Sequence, residues 1–195
     1  MPYQALNDYA LVLGSNSPRR KQFLQDLGLS FVVRASDIEE TYPSELQGAA
    51  ITDYIAKLKA DAIALTHNKE ILITSDTTVW SEGQSLGKPG DRQEAIEMLL
   101  RLSGNKHDVI TSICLKSTTR EHVFHVVTAV YFKPLRLEQI EYYVDHYQPY
   151  DKAGAYGIQE WIGLVGIERI DGSYTNIVGL PTTELMEELL QFIKA

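Results

Sequence analysis

Ser15, Ser17, Arg19 and Arg20 stand where the apolar run Leu11-Val12-Leu13 passes through Gly14 into a helix opening at Pro18. Ser17 suits the N-cap, and Pro18 suits the first helical position, where its missing N–H costs nothing. A helix N-terminus carries partial positive charge and unpaired N–H groups, so two arginines in the first turn are out of place unless an anion joins them. Two readings stand: both arginines are simply solvated, or hydroxyls, N–H groups and guanidinium forks converge on one phosphate-bearing ligand. Asp76 follows the strand-like run Glu70-Ile71-Leu72-Ile73-Thr74. Past the carboxyl end of a strand, a carboxylate can bind Mg²⁺ or act as a general base, or merely shape a turn. Glu39 and Glu40 lie in an acidic loop. They are surface charges, or one of them is a hard-cation ligand facing Asp76. Lys59 sits on a helix with an apolar stripe, and Lys88 is fixed between Gly87 and Pro89. Either lysine offers a compact charge for a phosphate, and Lys59 has the alternative of snorkelling to solvent.

These residues depend on elements that the spacing predicts. Phe31-Val32-Val33 reads as a short strand, and 36–48 as a loop long enough to be functional. A helix over 49–65 carries a stripe of Ile51, Tyr54, Ile55, Leu58, Ala62 and Leu65. The strand from Glu70 ends at Ser75-Asp76, and Val79-Trp80 and Ser85-Leu86 form a hairpin about Gly83. Asp91 caps a helix over 92–102 with Ala95, Ile96, Leu99 and Leu100 inside. Strands at 107–116 and 122–132, a helix at 137–147, a glycine-rich segment at 151–159, a strand at 164–170 and a helix at 181–193 complete the chain. The pattern predicts a mixed-sheet α/β or α+β fold in a single domain spanning 1–195.

Composition narrows the classes. With 195 residues, 44% of them apolar, the chain can bury a full core. A net charge of −8 argues against nucleic-acid and anionic-membrane partners, so cations for a small anion must be gathered locally. The chain has no run long enough to span a bilayer and no basic-then-apolar leader, and the lone Cys114 excludes an internal disulfide framework. A cytoplasmic location is expected. The five histidines lack metal-ligand spacing, and the stretch from Gly83 to Lys88 is one residue short of a P-loop, with Pro89 where a hydroxyl residue belongs. Tyr142, Tyr143, Tyr147 and Tyr150 read as core or dimer packing.

Taken together and in order, the segments 15–20 (Ser-Asn-Ser-Pro-Arg-Arg), 37–41, 56–60, 75–77, 87–89 and 151–159 resemble the Maf family of nucleoside triphosphate pyrophosphatases over nearly the whole chain. The resemblance implies a two-lobed mixed sheet flanked by helices, of the inosine-triphosphatase-like type, with the site in the cleft. It implies hydrolysis of a nucleoside triphosphate to monophosphate and pyrophosphate with a divalent cation, Mg²⁺ or Mn²⁺, and allows a homodimer. It places Asp76 as proton acceptor and metal ligand and Glu40 as metal ligand. Ser15, Ser17, Arg19, Arg20, Lys59, Thr77, Lys88 and Gln159 become substrate contacts. Arg19, Thr77 and Gln159 look like the branch acting on dTTP and UTP. Asn16, Ser75, Thr78 and Trp80 depart from the usual residues, which bears on substrate preference and not on the reaction; two alternatives stand beside this reading, a pyrophosphatase for modified nucleotides such as 7-methyl-GTP, and a nucleotide-binding regulator of cell division.

Overall fold

The computed structural model describes residues 3–194. In chain order the elements are β1 (Ala10–Leu13), α1 (Pro18–Asp26), β2 (Phe31–Val33), α2 (Ala49–Asp61), β3 (Glu70–Ser81), β4 (Gln84–Leu86), α3 (Arg92–Leu102), β5 (Lys106–Lys116), β6 (Glu121–Phe132), α4 (Leu137–Tyr147), α5 (Trp161–Gly166), β7 (Ile167–Asp171), α6 (Tyr174–Val178) and α7 (Thr182–Phe192). The strands form one mixed sheet in the order β2-β1-β3-β5-β6-β7, with β4 paired to β3. β1 runs parallel to both β2 and β3, while β4 pairs antiparallel with β3 and β7 with β6. The expected mixed α/β fold is the observed one.

The chain divides into two compact units. The first gathers Met1–Asp76, Thr111–Val126 and Gly179–Ala195. β1 and the first-unit parts of β3 and β5 are covered on both faces, which is why they read as apolar runs. Leu11, Leu13, Ile71, Ile73, Ile113 and Leu115 pack with Leu24 of α1 and with Leu185 and Leu189 of α7. The alternate positions Val12, Leu72 and Cys114 pack with Ala56 and Ala60 of α2. Cys114 is wholly buried, and that burial pushes its thiol up to about 12. Glu70 opens β3 as a buried carboxylate, taking both oxygens of its charge into bonds from Arg34 and Thr66, which hold it down at about 2.

The second unit comprises Thr77–Ile110 and Val127–Val178. Its core joins Val79 and Leu86 to Ala95, Leu99 and Leu102 of α3, Ile140 and Val144 of α4, and Phe132. Glu82 and Gly83 both have positive φ, 49° and 77°, as a two-residue hairpin turn requires. Asp91 caps α3 by accepting from the Glu94 N–H at 2.9 Å, as its sequence position predicts.

Several local expectations are corrected. β3 does not stop at Ser75-Asp76 but continues to Ser81, so Asp76 lies within a strand. α2 ends at Asp61 and buries Ile51, Thr52, Ile55, Ala56 and Ala60, leaving Tyr54 exposed. In α3, Met98 and Leu102 are inside and Leu100 is outside. Residues 164–166 are helical, and the strand begins only at Ile167. Ser17 occupies the N-cap of α1, but its side chain makes no capping bond.

Two expected outcomes follow from the packing. A Cβ added at Gly14 lies 2.5 Å from Thr74 Cγ2 and 2.9 Å from Ile63 Cδ1. Thr74 cannot step aside, because its hydroxyl donates to the Ala56 carbonyl at 2.6 Å. Gly14→Ala therefore destabilises by about 1–3 kcal/mol, read as a lowered midpoint in thermal unfolding. His107 is buried in the second unit, edge-on to Phe132 and bonded through Nε2 to the Tyr156 hydroxyl at 2.8 Å. Burial lowers its pKa from 6.5 to about 4. The unfolded chain thus takes up a proton that the folded chain refuses, and stability falls as pH drops from 6.5 toward 4. The loss amounts to about 3 kcal/mol and should be absent from urea unfolding of His107→Phe across that range.

Candidate active site

Two periodicities meet in the first unit. On β3, residues 72, 74 and 76 share a face, since side chains alternate along a strand. On α2, Ala56, Lys59 and Ala60 share a face through their i, i+3 and i+4 spacing. Leu72 packs on Ala56 and Ala60, and Thr74 bonds to the Ala56 carbonyl. One step further along both elements, Asp76 meets Lys59. The Lys59 ammonium donates to Asp76 Oδ1 at 2.7 Å and pairs with Glu40 Oε1 at 3.0 Å. The loop glutamate and the strand aspartate therefore converge on one cation. Lys59 does not snorkel: its side chain is only 12% exposed.

Arg20 is anchored on three sides. Its Nε donates to the Gly179 carbonyl at 2.9 Å, and its Nη1 donates to the Ser75 carbonyl at 3.0 Å and to Ser15 Oγ at 3.3 Å. Ser15 Oγ also accepts from the Ser17 N–H at 3.2 Å, which tightens the turn from β1 into α1. The close approach that Gly14 permits is what brings this turn to the middle of β3, where Gly14 N–H donates to the Ile73 carbonyl at 2.8 Å. Burial pushes the Arg20 guanidinium below its ordinary value; Asp76 opposes that shift, Arg19 adds to it, and Glu40 opposes it. Asp76 is 7% exposed, and desolvation raises its pKa above the ordinary 3.8 despite the opposing Lys59 and Arg20 charges. A buried carboxylate with raised basicity between fixed cations is equipped to hold a proton taken from a bound water.

Ser15, Arg20, Glu40, Lys59 and Asp76 are thus gathered in the first unit, with Arg19 and Ser17 half-buried in the same first turn. Thr77, Lys88 and Gln159 belong to the second unit. Thr77 is half-buried on β3, Lys88 is exposed in the loop after β4, and Gln159 is exposed in the segment before α5. Sequence reasoning missed the two carbonyls that aim Arg20, those of Ser75 and Gly179. Backbone acceptors leave no residue-type signal.

A buried aspartate and a loop glutamate about a lysine, beside an anchored arginine at a strand-to-helix turn of a mixed sheet, give this α/β protein a charged cluster. Residues 10–192 match the family described as Maf-like protein, and the chain belongs to that family. It is 48% identical over 192 residues to a dTTP/UTP pyrophosphatase of Flavobacterium johnsoniae, covering 97% of this chain and 98% of that one. It is 53% identical over 188 residues to a dTTP/UTP pyrophosphatase of Bacteroides fragilis, covering 95% and 97%. The fold is similar to that of a HAM1 protein from Coxiella burnetii, with a TM-score of 0.51 and 17% identity over 94% of this chain and 99% of that one. Among the described residues, no helix is long and apolar enough to cross a membrane.

Proposed function

We propose that this chain is a nucleoside triphosphate pyrophosphatase that converts dTTP and UTP to their monophosphates and pyrophosphate. The observation that carries the reading is the meeting of Glu40 and Asp76 on the Lys59 ammonium beside anchored Arg20. The names of the relatives in Flavobacterium johnsoniae and Bacteroides fragilis support the choice of substrate.

The donor set fits a divalent cation. Two carboxylates already share one cationic partner, and hard cations such as Mg²⁺ take one or two carboxylates with substrate phosphates completing the shell. Among the described residues no group of three or more His, Cys, Asp or Glu is placed to hold a metal ion, and triphosphate oxygens and water would complete the shell. Glu40 and Asp76 would hold Mg²⁺ or Mn²⁺, whose chemistry is to neutralise charge on the phosphates. Arg19, Arg20 and Lys59 bind and orient phosphate oxygens as charge-assisted donors. Ser15 and Ser17 bracket the same anion with hydroxyls. Asp76 accepts the proton of a water directed at the α-phosphorus. Thr77, Lys88 and Gln159 carry the substrate contacts that their motifs imply, with the Gln159 amide offering donor and acceptor to a base edge. The reading includes action in the cytoplasm without a nucleic-acid or membrane partner, and allows a homodimer.

The test is direct. Incubation with Mg²⁺ and a panel of ordinary, 7-methylated and deaminated triphosphates, with pyrophosphate and orthophosphate measured separately, should yield pyrophosphate fastest from dTTP and UTP. Orthophosphate as the first product, or tight binding without product, defeats the proposal.

A further inference from the structure

The segment from Asp151 to Glu160 is held in an unusual backbone. Gly154 and Ala155 are consecutive left-handed residues, with φ of 66° and 57°. A side-chain-bearing residue adopts that conformation at a cost, so the surroundings must over-determine it. They do so through Glu160. The hydroxyl of Tyr143, wholly buried on α4, donates to Glu160 Oε2 and accepts from the Gly157 N–H at 2.9 Å. The other oxygen, Oε1, pairs with the Lys152 ammonium at 3.1 Å, and Lys152 also holds Asp151 at 2.6 Å. The Lys152 and Glu160 side chains are only 11% and 20% exposed, so the pair is poorly screened and its loss is felt. Gly157 is what lets it close: a Cβ there lies 2.9 Å from Glu160 Cδ and 3.0 Å from Lys152 Cε.

The segment in turn holds another. The Gly154 N–H donates to the Gly87 carbonyl at 3.0 Å, next to Lys88. A Cβ on Gly154 lies 2.8 Å from Val79 Cγ2, so the segment also rests on β3, two residues beyond Thr77. At the other end, Gln159 is bonded covalently to Glu160. One carboxylate thus sits at the junction of the two stretches of the second unit that carry Lys88 and Gln159.

We propose that Glu160 is a positioning residue. With Tyr143 and Lys152 it fixes the 151–160 segment, and through it the Gly87-Lys88 loop and Gln159, so that it sets nucleotide capture and base preference without touching the reacting atoms. Burial together with the Glu160 bond raises the Tyr143 phenol, which keeps it a donor at working pH. The role rests on the pyrophosphatase reading above.

The test compares the unmodified enzyme with Glu160→Ala, Glu160→Gln and Tyr143→Phe, each confirmed folded by thermal unfolding and assayed with dTTP, UTP, dATP and GTP. Glu160→Ala should raise KM for dTTP and UTP about tenfold with kcat changed less than about threefold, and should narrow the preference for dTTP and UTP over the purine triphosphates. Glu160→Gln keeps an acceptor for Tyr143 and should recover part of that loss. Amide exchange at Gly154 and Gly157 should speed up in Glu160→Ala and Tyr143→Phe. Unaltered KM and base preference in a folded Glu160→Ala overturn the positioning role, as does unaltered exchange. A lowered unfolding midpoint with intact selectivity assigns Glu160 to stability alone and overturns it too. No pyrophosphate from the unmodified enzyme with any triphosphate defeats the underlying reading instead.

Discussion

Asp76→Asn should leave a folded protein that releases pyrophosphate about 10²–10⁴-fold more slowly, the range lost with a general base. The amide has the shape of the carboxylate and still accepts from Lys59, so the β3–α2 contact persists. The fold should not suffer. Burial raises the Asp76 pKa, which means the folded state favours the protonated form and the charged form weighs against stability once pH exceeds that pKa. A neutral side chain removes that penalty, and the unfolding midpoint at neutral pH should be equal or higher. The measurement pairs pyrophosphate release at saturating dTTP with thermal unfolding of the same sample. Near-normal turnover in Asp76→Asn would remove Asp76 from the role of base.

Lys59→Met should have the second largest effect and a different signature. Of the charges that oppose the desolvation of Asp76, Lys59 is the strongest, ahead of Arg20. Without it the carboxylate takes up its proton more readily, and its pKa climbs further. Turnover needs Asp76 ionised, so activity is lost as pH falls through the Asp76 pKa. Removing the strongest opposing charge should therefore move the acid limb of activity to higher pH than in the unmodified enzyme. Each unit of displacement costs tenfold in ionised base on the acid side. Together with a lost phosphate donor, kcat/KM at pH 7 should drop about 10²-fold, with partial recovery at alkaline pH. A uniform drop at every pH would mean that Lys59 binds substrate without tuning Asp76.

Why some of this was legible in the sequence and some was not follows from the residues themselves. Asp91 announced α3 because a short carboxylate before an apolar-periodic run satisfies a helix N–H. The hairpin about Gly83 was legible because its turn needs positive φ. The charged candidates stand out by residue type, as cations at a helix start and a carboxylate after an apolar run, but nothing in their spacing announces that Glu40 and Asp76 meet on Lys59. Polarity predicts a strand end at Asp76; Thr78 and Ser81 are also polar, yet β3 runs through all three, buried, with the Thr78 and Ser85 hydroxyls bonded to each other. The apolar character of Leu164-Val165-Gly166 predicts strand, but these residues close α5, which also contains Gly163. Gly163 packs so tightly on Ile158 that a Cβ there would lie 1.8 Å from the Ile158 carbonyl oxygen. α6 lies between the predicted strand and closing helix, and Ser173 signals it: its hydroxyl accepts from the Asn176 N–H at 3.3 Å, a capping pattern. The long-range aim of Arg20 at two main-chain oxygens was beyond any one-dimensional reading.

The wholly buried Cys114 gives the protein a built-in clock. Thiol reagents attack the thiolate, and a sulfur enclosed in the sheet with its proton held to about pH 12 offers them nothing while the fold is closed. Because the chain has no other cysteine, any labelling counts openings of the first unit and of nothing else. Its rate, followed with a chromogenic disulfide in native buffer, then times how often that interior meets solvent.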